Sequence, residues 1–147
     1  MTRIQRLADD LMLIDTHYCG SPEAIGVYLL LGPRPALLET GPAATVETML
    51  AGVRAAGLDP AALQAIAVTH IHLDHAGAAG LLVQRFPHLE VYVHPVGAPH
   101  LIDPTRLLTS ANRLFGDGMK FLGEPVPVPA ERVHTLEDGA AVVLGSR

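Results

Sequence analysis

Residues 69–77 read THIHLDHAG, which sets His70, His72, Asp74 and His75 within six positions of one another. Chance assembles H-x-H-x-D-H in a chain of this composition with a probability of roughly 10⁻³. Imidazole nitrogens and a carboxylate are the donors of a zinc, iron or manganese site, and the cluster holds no thiolate. Alternate side chains of an extended segment share a face, so His70 and His72 project the same way and can converge on one ion. Asp74 and His75 follow where the chain turns into a helix; pointing differently, they could hold a second ion beside the first. An ion with too few protein ligands keeps water and lowers its pKa from about 15.7 to about 7, supplying hydroxide at neutral pH. Each residue alone has an ordinary role: Asp74 can cap the following helix, His75 can sit in its first turn, and His70 and His72 can be solvated. Together at one turn they read as a metal site.

The flanking elements must hold that turn in place. "AIAV", residues 65–68, is a short buried-type strand that runs into the histidines, and "AGAAGLLVQRF", residues 76–86, reads as a helix stopped by Pro87. "EVYVH" follows as the next strand, so the cluster falls at the strand-to-helix turn of a β-α-β unit. Gly77 and Gly80 let the start of that helix pass close to its neighbours. Upstream, "TRIQRLA" and "LMLIDTH" flank Asp9-Asp10, while "GVYLLL" and "PALLE" flank Gly32-Pro33-Arg34, a pattern of two hairpins. A helix beginning near Pro42 carries Val46, Met49, Leu50 and Val53 at helical spacing and stops at Gly57. Asp59-Pro60 starts a helical turn. Asp103-Pro104 caps a later helix with Leu107, Leu108, Ala111, Leu114 and Phe115 on one apolar face. "GEPVPVPA", residues 123–130, is extended loop, and "RVHTLEDGAAVVLGSR" reads as two short strands around Glu137-Asp138-Gly139.

Composition narrows the class. The 147 residues, 49% of them apolar and 17% charged, fit one globular domain over residues 1–147 with a sizeable core. A net charge of -5 with ten basic residues argues against a nucleic-acid partner, which needs a clustered basic field. Cys19, the sole cysteine, suits a reducing compartment. The N-terminus is broken by charges and no apolar run could span a bilayer, so the expected setting is cytoplasmic, with no membrane partner.

H-x-H-x-D-H after a short hydrophobic strand, followed by Ala-Gly, resembles the metallo-β-lactamase-fold hydrolases, with the glyoxalase II-like branch nearest. "YLLLGPRPALLETGP" is similar to the family's hairpin ending in an aspartate-threonine-glycine turn. "LEVYVHP" is similar to the strand after its motif helix, and "LEDGAAVVLGSR" to the hairpin before its third histidine ligand. The resemblance implies an α/β (α+β) fold, an αββα sandwich of which this chain is mostly the N-terminal half. It implies zinc, up to two ions, with iron or manganese as alternatives: His70 and His72 on the first, Asp74 and His75 on the second. Asp74 would also be catalytic, orienting hydroxide or accepting its proton. The implied substrate is a small molecule carrying an ester, thioester, amide or phosphoester.

Two departures qualify that expectation. Glu39 stands where the family has aspartate, one methylene longer. The family's third histidine, bridging aspartate and last histidine have no counterpart here, and His134, in "VHTLEDG", matches none of them by neighbours or position. The reading is therefore of a domain incomplete at its C-terminus. Its unpaired sheet edge and apolar face would favour self-association or a homo-oligomer. An iron-dependent redox enzyme (persulfide dioxygenase or diiron type) on this scaffold and a non-catalytic half-domain are the competing functions. His17 reads as surface loop near the site mouth, His94 as a strand end, His88 and His100 as turn residues. Cys19 reads as a structural thiol, and Tyr18, Tyr28 and Tyr92 as packing residues.

Overall fold

Short, largely apolar runs bounded by turn residues build the first four strands. In the computed structural model, which describes residues 3–147, β1 (Ile4–Ala8), β2 (Leu11–Asp15), β3 (Gly26–Leu30) and β4 (Ala36–Leu38) form an antiparallel meander. Thr2, expected at the head of the first strand, lies outside the described residues. From β4 onward the pairing turns parallel: β5 (Ala65–Ala67), β6 (Glu90–Val93) and β7 (Val133–Thr135) complete one seven-stranded sheet in chain order.

Parallel neighbours need crossovers, and helices supply them. The first is α1 (Val46–Ala55); α2 (Leu73–Ala76) and α3 (Ala79–Arg85) make the second; α4 (Ala98–Ile102), α5 (Thr105–Phe115) and α6 (Met119–Leu122) lie in the third. Met12, Ile14, Val27, Leu29, Leu37, Ile66 and Val91 line one sheet face and pack against Met49, Leu50 and Val53 of α1 and Leu82 of α3. The opposite face carries a smaller cluster of Leu30, Ala36 and Ala65, covered by Leu144. The fold is thus α/β: one sheet and one main helical layer, the half of the αββα sandwich that the sequence leads one to expect.

Several local expectations are revised. The helix expected over residues 76–86 is two helices, broken at Gly77-Ala78. The second terminal strand does not form; residues 141–144 run beside Leu30 and Ala36 as irregular chain, with a single bridge between Arg34 and Gly145. α4 and α6 were not expected at all. α5 forms where predicted, but of its apolar stripe only Ala111 is buried, with Leu114 76% and Phe115 49% exposed. Sheet edges lie at β1 and β7, and Leu7 and Tyr28 are exposed apolar groups on the sheet. No helix among the described residues is long and apolar enough to cross a membrane.

Two contacts tie neighbouring elements together. Gly80 lies directly beneath the carbonyl of Val126, so that a Cβ there would overlap it. Glu90 bonds His134 and Arg132 across the β6–β7 pair, and the His134 ring stacks on Tyr92 at 5.2 Å between centroids. His134 and, secondarily, Arg132 hold the Glu90 carboxyl below its ordinary 4.5 against the opposing effect of burial. A depressed carboxylate contributes stability that is fully present above about 4.5 and lost as pH falls through its lower folded value. Glu90→Gln should therefore flatten the acid limb of stability, measured by urea unfolding between neutral pH and pH of about 3. Gly80→Ala should destabilise by about 1–3 kcal/mol through overpacking, read as a lower thermal midpoint; an unchanged midpoint would show that Val126 moves freely.

Candidate metal centre

β5 ends at Ala67, so the histidines lie just past the strand rather than within it. The segment 68–72 nevertheless stays extended enough to put His70 and His72 side by side, ring centroids 4.7 Å apart and edge-on. His72 occupies the cap position of α2, yet no side chain caps that helix, so Asp74 does not spend its carboxylate on the role ordinarily open to it. Asp74 Oδ2 lies instead 3.3 Å from His75 Nε2. The His75 ring turns back to within 4.0 Å of His70. The two pairs expected to diverge form one compact group. The whole motif comes together at the carboxyl end of the parallel strands, the usual position for ligands in open α/β sheets.

The turn after β4 holds this group from behind. Glu39 N–H bonds the carbonyl of Ala67, and Glu39 Oε1 accepts from Thr69 N–H at 3.1 Å. Its other oxygen is buried without a hydrogen-bond partner and sits 3.5 Å from His75 Nδ1. Glu39 holds a left-handed backbone (φ 66), a strained conformation for a non-glycine residue. Thr40, fully buried, makes the tightest tie. Its N–H bonds the His75 carbonyl at 2.8 Å, and its hydroxyl lies 3.0 Å from the same oxygen and accepts from Ala78 N–H at 3.2 Å. Gly41 (φ 70) turns the chain here, and its carbonyl also accepts from Ala78 N–H.

Nitrogen and carboxylate donors converge, but no three His, Cys, Asp or Glu side chains among the described residues are arranged as a closed ion site. The open oxygen of Glu39 behind His75 fits the outer-sphere carboxylate that commonly orients a ligating imidazole. The donor types therefore fit a divalent ion in chemistry.

The other histidines stand apart. His134 is engaged with Glu90 and Tyr92, His88 with the carbonyl of Leu63, and His94 with Val96 N–H. His17 belongs to the loop after β2, with left-handed backbone at His17, Cys19 and Glu23. Asp15 secures that loop through bonds from His17 and Glu23 N–H, which together outweigh burial and hold its carboxyl below the ordinary range. The neighbouring Tyr18 reaches a cavity of about 590 Å³ that borders His72 and Asp74. Burial, the adjoining Cys19 thiol and the Asp74 carboxylate all push the Tyr18 phenol up, so it stays a neutral donor.

A sequence profile described as the Metallo-beta-lactamase superfamily matches residues 27–147. The chain belongs to this superfamily. Over 77 residues it is 36% identical to a hydroxyacylglutathione hydrolase of Salmonella paratyphi A, covering 50% of this chain and 26% of that protein. The corresponding hydrolase of Salmonella typhi is 35% identical over 77 residues, with the same coverage. Among solved structures, the class B3 di-zinc metallo-beta-lactamase LRA-12 from an Alaskan soil metagenome superimposes with a TM-score of 0.72 at 22% identity, covering 97% of this chain and 48% of that one. A beta-lactamase from Chitinophaga pinensis gives 0.70 at 26% identity, with 97% and 48% coverage. The chain thus spans about half the length of these superfamily structures and about a quarter of the curated relatives.

Within this superfamily chain, sequence reasoning located the four motif residues but missed Thr40 and the cavity beside Tyr18. A buried threonine in a turn carries no pattern of its own. Only its partners, 35 and 38 positions away, reveal it. Thr40→Val removes the hydroxyl and leaves Ala78 N–H with one acceptor fewer, so a loss of about 1–3 kcal/mol is expected from chemical denaturation. Wild-type stability in that variant would show that the two turns are held by backbone contacts alone.

Proposed function

We propose that His70, His72, Asp74 and His75 form the nucleus of a metal-dependent hydrolytic site. His70 and His72 hold one zinc ion, Asp74 and His75 a second. The observation that carries this reading is the gathering of three imidazoles and a carboxylate around rings 4.0–4.7 Å apart, with Asp74 free of any capping role. Superfamily membership supports it, as does the resemblance to proteins named hydroxyacylglutathione hydrolase and metallo-beta-lactamase. Four donors are fewer than two closed sites require, so the proposal covers the part of the site that these residues supply.

A divalent ion bound here would provide a Lewis acid that makes water acidic enough to attack near neutral pH. The chain's own residues do the rest. Asp74, with its side chain 47% exposed, orients the attacking water and accepts its proton. Glu39 Oε2, open and 3.5 Å behind His75 Nδ1, is placed to accept a proton from that nitrogen, which would leave Nε2 for the ion. Thr69 Oγ1, 2.9 Å from His70 Nδ1, fixes the ring of His70 in the same way. The reaction class is hydrolysis of an ester, thioester, amide or phosphoester in a small molecule.

Titration of zinc into the 147-residue chain, followed by calorimetry and by the imidazole NMR signals, tests the assignment. His72→Ala and Asp74→Ala should each weaken binding at least about tenfold, and Glu39→Ala about 10–100-fold as an outer-sphere effect. Unchanged zinc affinity in both His72→Ala and Asp74→Ala would overturn it. Preferential uptake of iron with oxygen consumption would favour the redox alternative.

A further inference from the structure

The apolar face expected on α5 forms, but of its residues only Ala111 is buried. Leu107, Ala111 and Leu114, spaced at i, i+4 and i+7, face a cavity of about 590 Å³ together with Phe115. That volume lies within the range of small-molecule pockets. Leu114 remains 76% and Phe115 49% exposed, an arrangement that leaves apolar surface facing water unless something covers it. Only Ala111, Leu73 and Leu122 of this region close into a small cluster, with Leu107 and Tyr18 partly packed against it.

Two features say what covers it. First, His72 and Asp74 form part of the cavity wall, so the apolar space is continuous with the reactive group rather than separate from it. Secondly, the lining contains no lysine or arginine; its one charged group is the Asp74 carboxylate, and its other polar contributors are His72, Tyr18 and Ser110. Along the Leu107–Leu114 stripe an anionic arm would find no basic side chain to pair with, whereas a hydrocarbon arm would bury Leu114 and Phe115.

We propose that this cavity seats an uncharged hydrocarbon arm of the substrate, so that the substrate class is an ester or thioester carrying an aliphatic or aryl group next to the bond cleaved. This rests on the hydrolytic reading above. The arm lies along the Leu107–Leu114 stripe, and the loop bearing Tyr18 forms the opposite wall. The scissile carbonyl is thereby brought to the end of the cavity where His72 and Asp74 stand. Ile25 and Ala24, after the left-handed Glu23, extend that wall.

The test titrates 1-octanol, an uncharged probe, into the ¹⁵N-labelled 147-residue chain with and without zinc, followed by two-dimensional NMR. Saturable shifts are expected at the amides of His72, Asp74, Leu107, Ala111 and Leu114. Leu114→Asp, at a site exposed enough to spare the fold, should weaken binding by about tenfold or more, with Leu114→Met restoring it. Shifts confined to other surfaces, or equal affinity in Leu114→Asp, would overturn the proposal. So would a stronger response of the same amides to glutathione, an anionic carrier. Concentration-dependent line broadening that Leu114→Asp abolishes, with octanol excluded, would mean that a second copy covers the stripe and would equally overturn it. Zinc is read independently at the imidazole signals: octanol binding without zinc uptake supports the apolar seat while rejecting the metal assignment, and zinc uptake without octanol binding does the reverse.

Discussion

Two chain reversals meet at the carboxyl end of the sheet, one after β4 and one after β5, and Thr40 ties them together. Its backbone N–H and hydroxyl both address the carbonyl of His75, while the hydroxyl oxygen receives the N–H of Ala78. These groups are buried, so water does not compete for them, and leaving any one unpaired would carry the full desolvation penalty. The tie fixes where α2 ends, and therefore where Asp74 and His75 stand relative to His70. Glu39, one residue earlier, is brought behind His75 by the same turn, at the expense of a left-handed backbone. The placement of the proposed ligands thus depends on Thr40, a residue that is not itself one of them.

The two faces of the sheet are covered unequally. One face of the sheet is closed by α1, α3 and α4, and the other is covered only in part, by Leu144 and its neighbours. The proposed site lies at the sheet end, between the motif turn, the loop carrying Tyr18 and the exposed stripe of α5. Each of these three pieces comes from a different connection in the fold. Chemistry concentrated in the motif turn is compatible with wide variation in the other two, because loops and peripheral helices can change without disturbing the parallel strands.

Much of this was legible beforehand, for identifiable reasons. The four leading strands announce themselves as short runs punctuated at Asp9-Asp10 and Gly32-Pro33-Arg34, and α1 by its 3.6-residue period. Such signals are local, and local preference and tertiary packing agree there. The misses are places where they disagree. Residues 76–86 have the composition of one helix, but Thr40 and Gly41 take the N–H of Ala78 and split it in two. The terminal segment has strand-like residues, yet it forms only the Arg34–Gly145 bridge.

The order of residues alone determined the donor types, their spacing and their position at a strand-to-helix turn, because those properties are carried within six consecutive positions. It also determined the α/β pattern, since strand and helix periods are written along the chain. Only the tertiary structure decided that His75 folds back toward His70, that Glu39 stands behind it with an open oxygen, and that the α5 stripe faces a cavity rather than a core. Each of those outcomes depends on groups tens of residues apart competing for the same donors and the same apolar surface, and such competition leaves no trace in a local pattern.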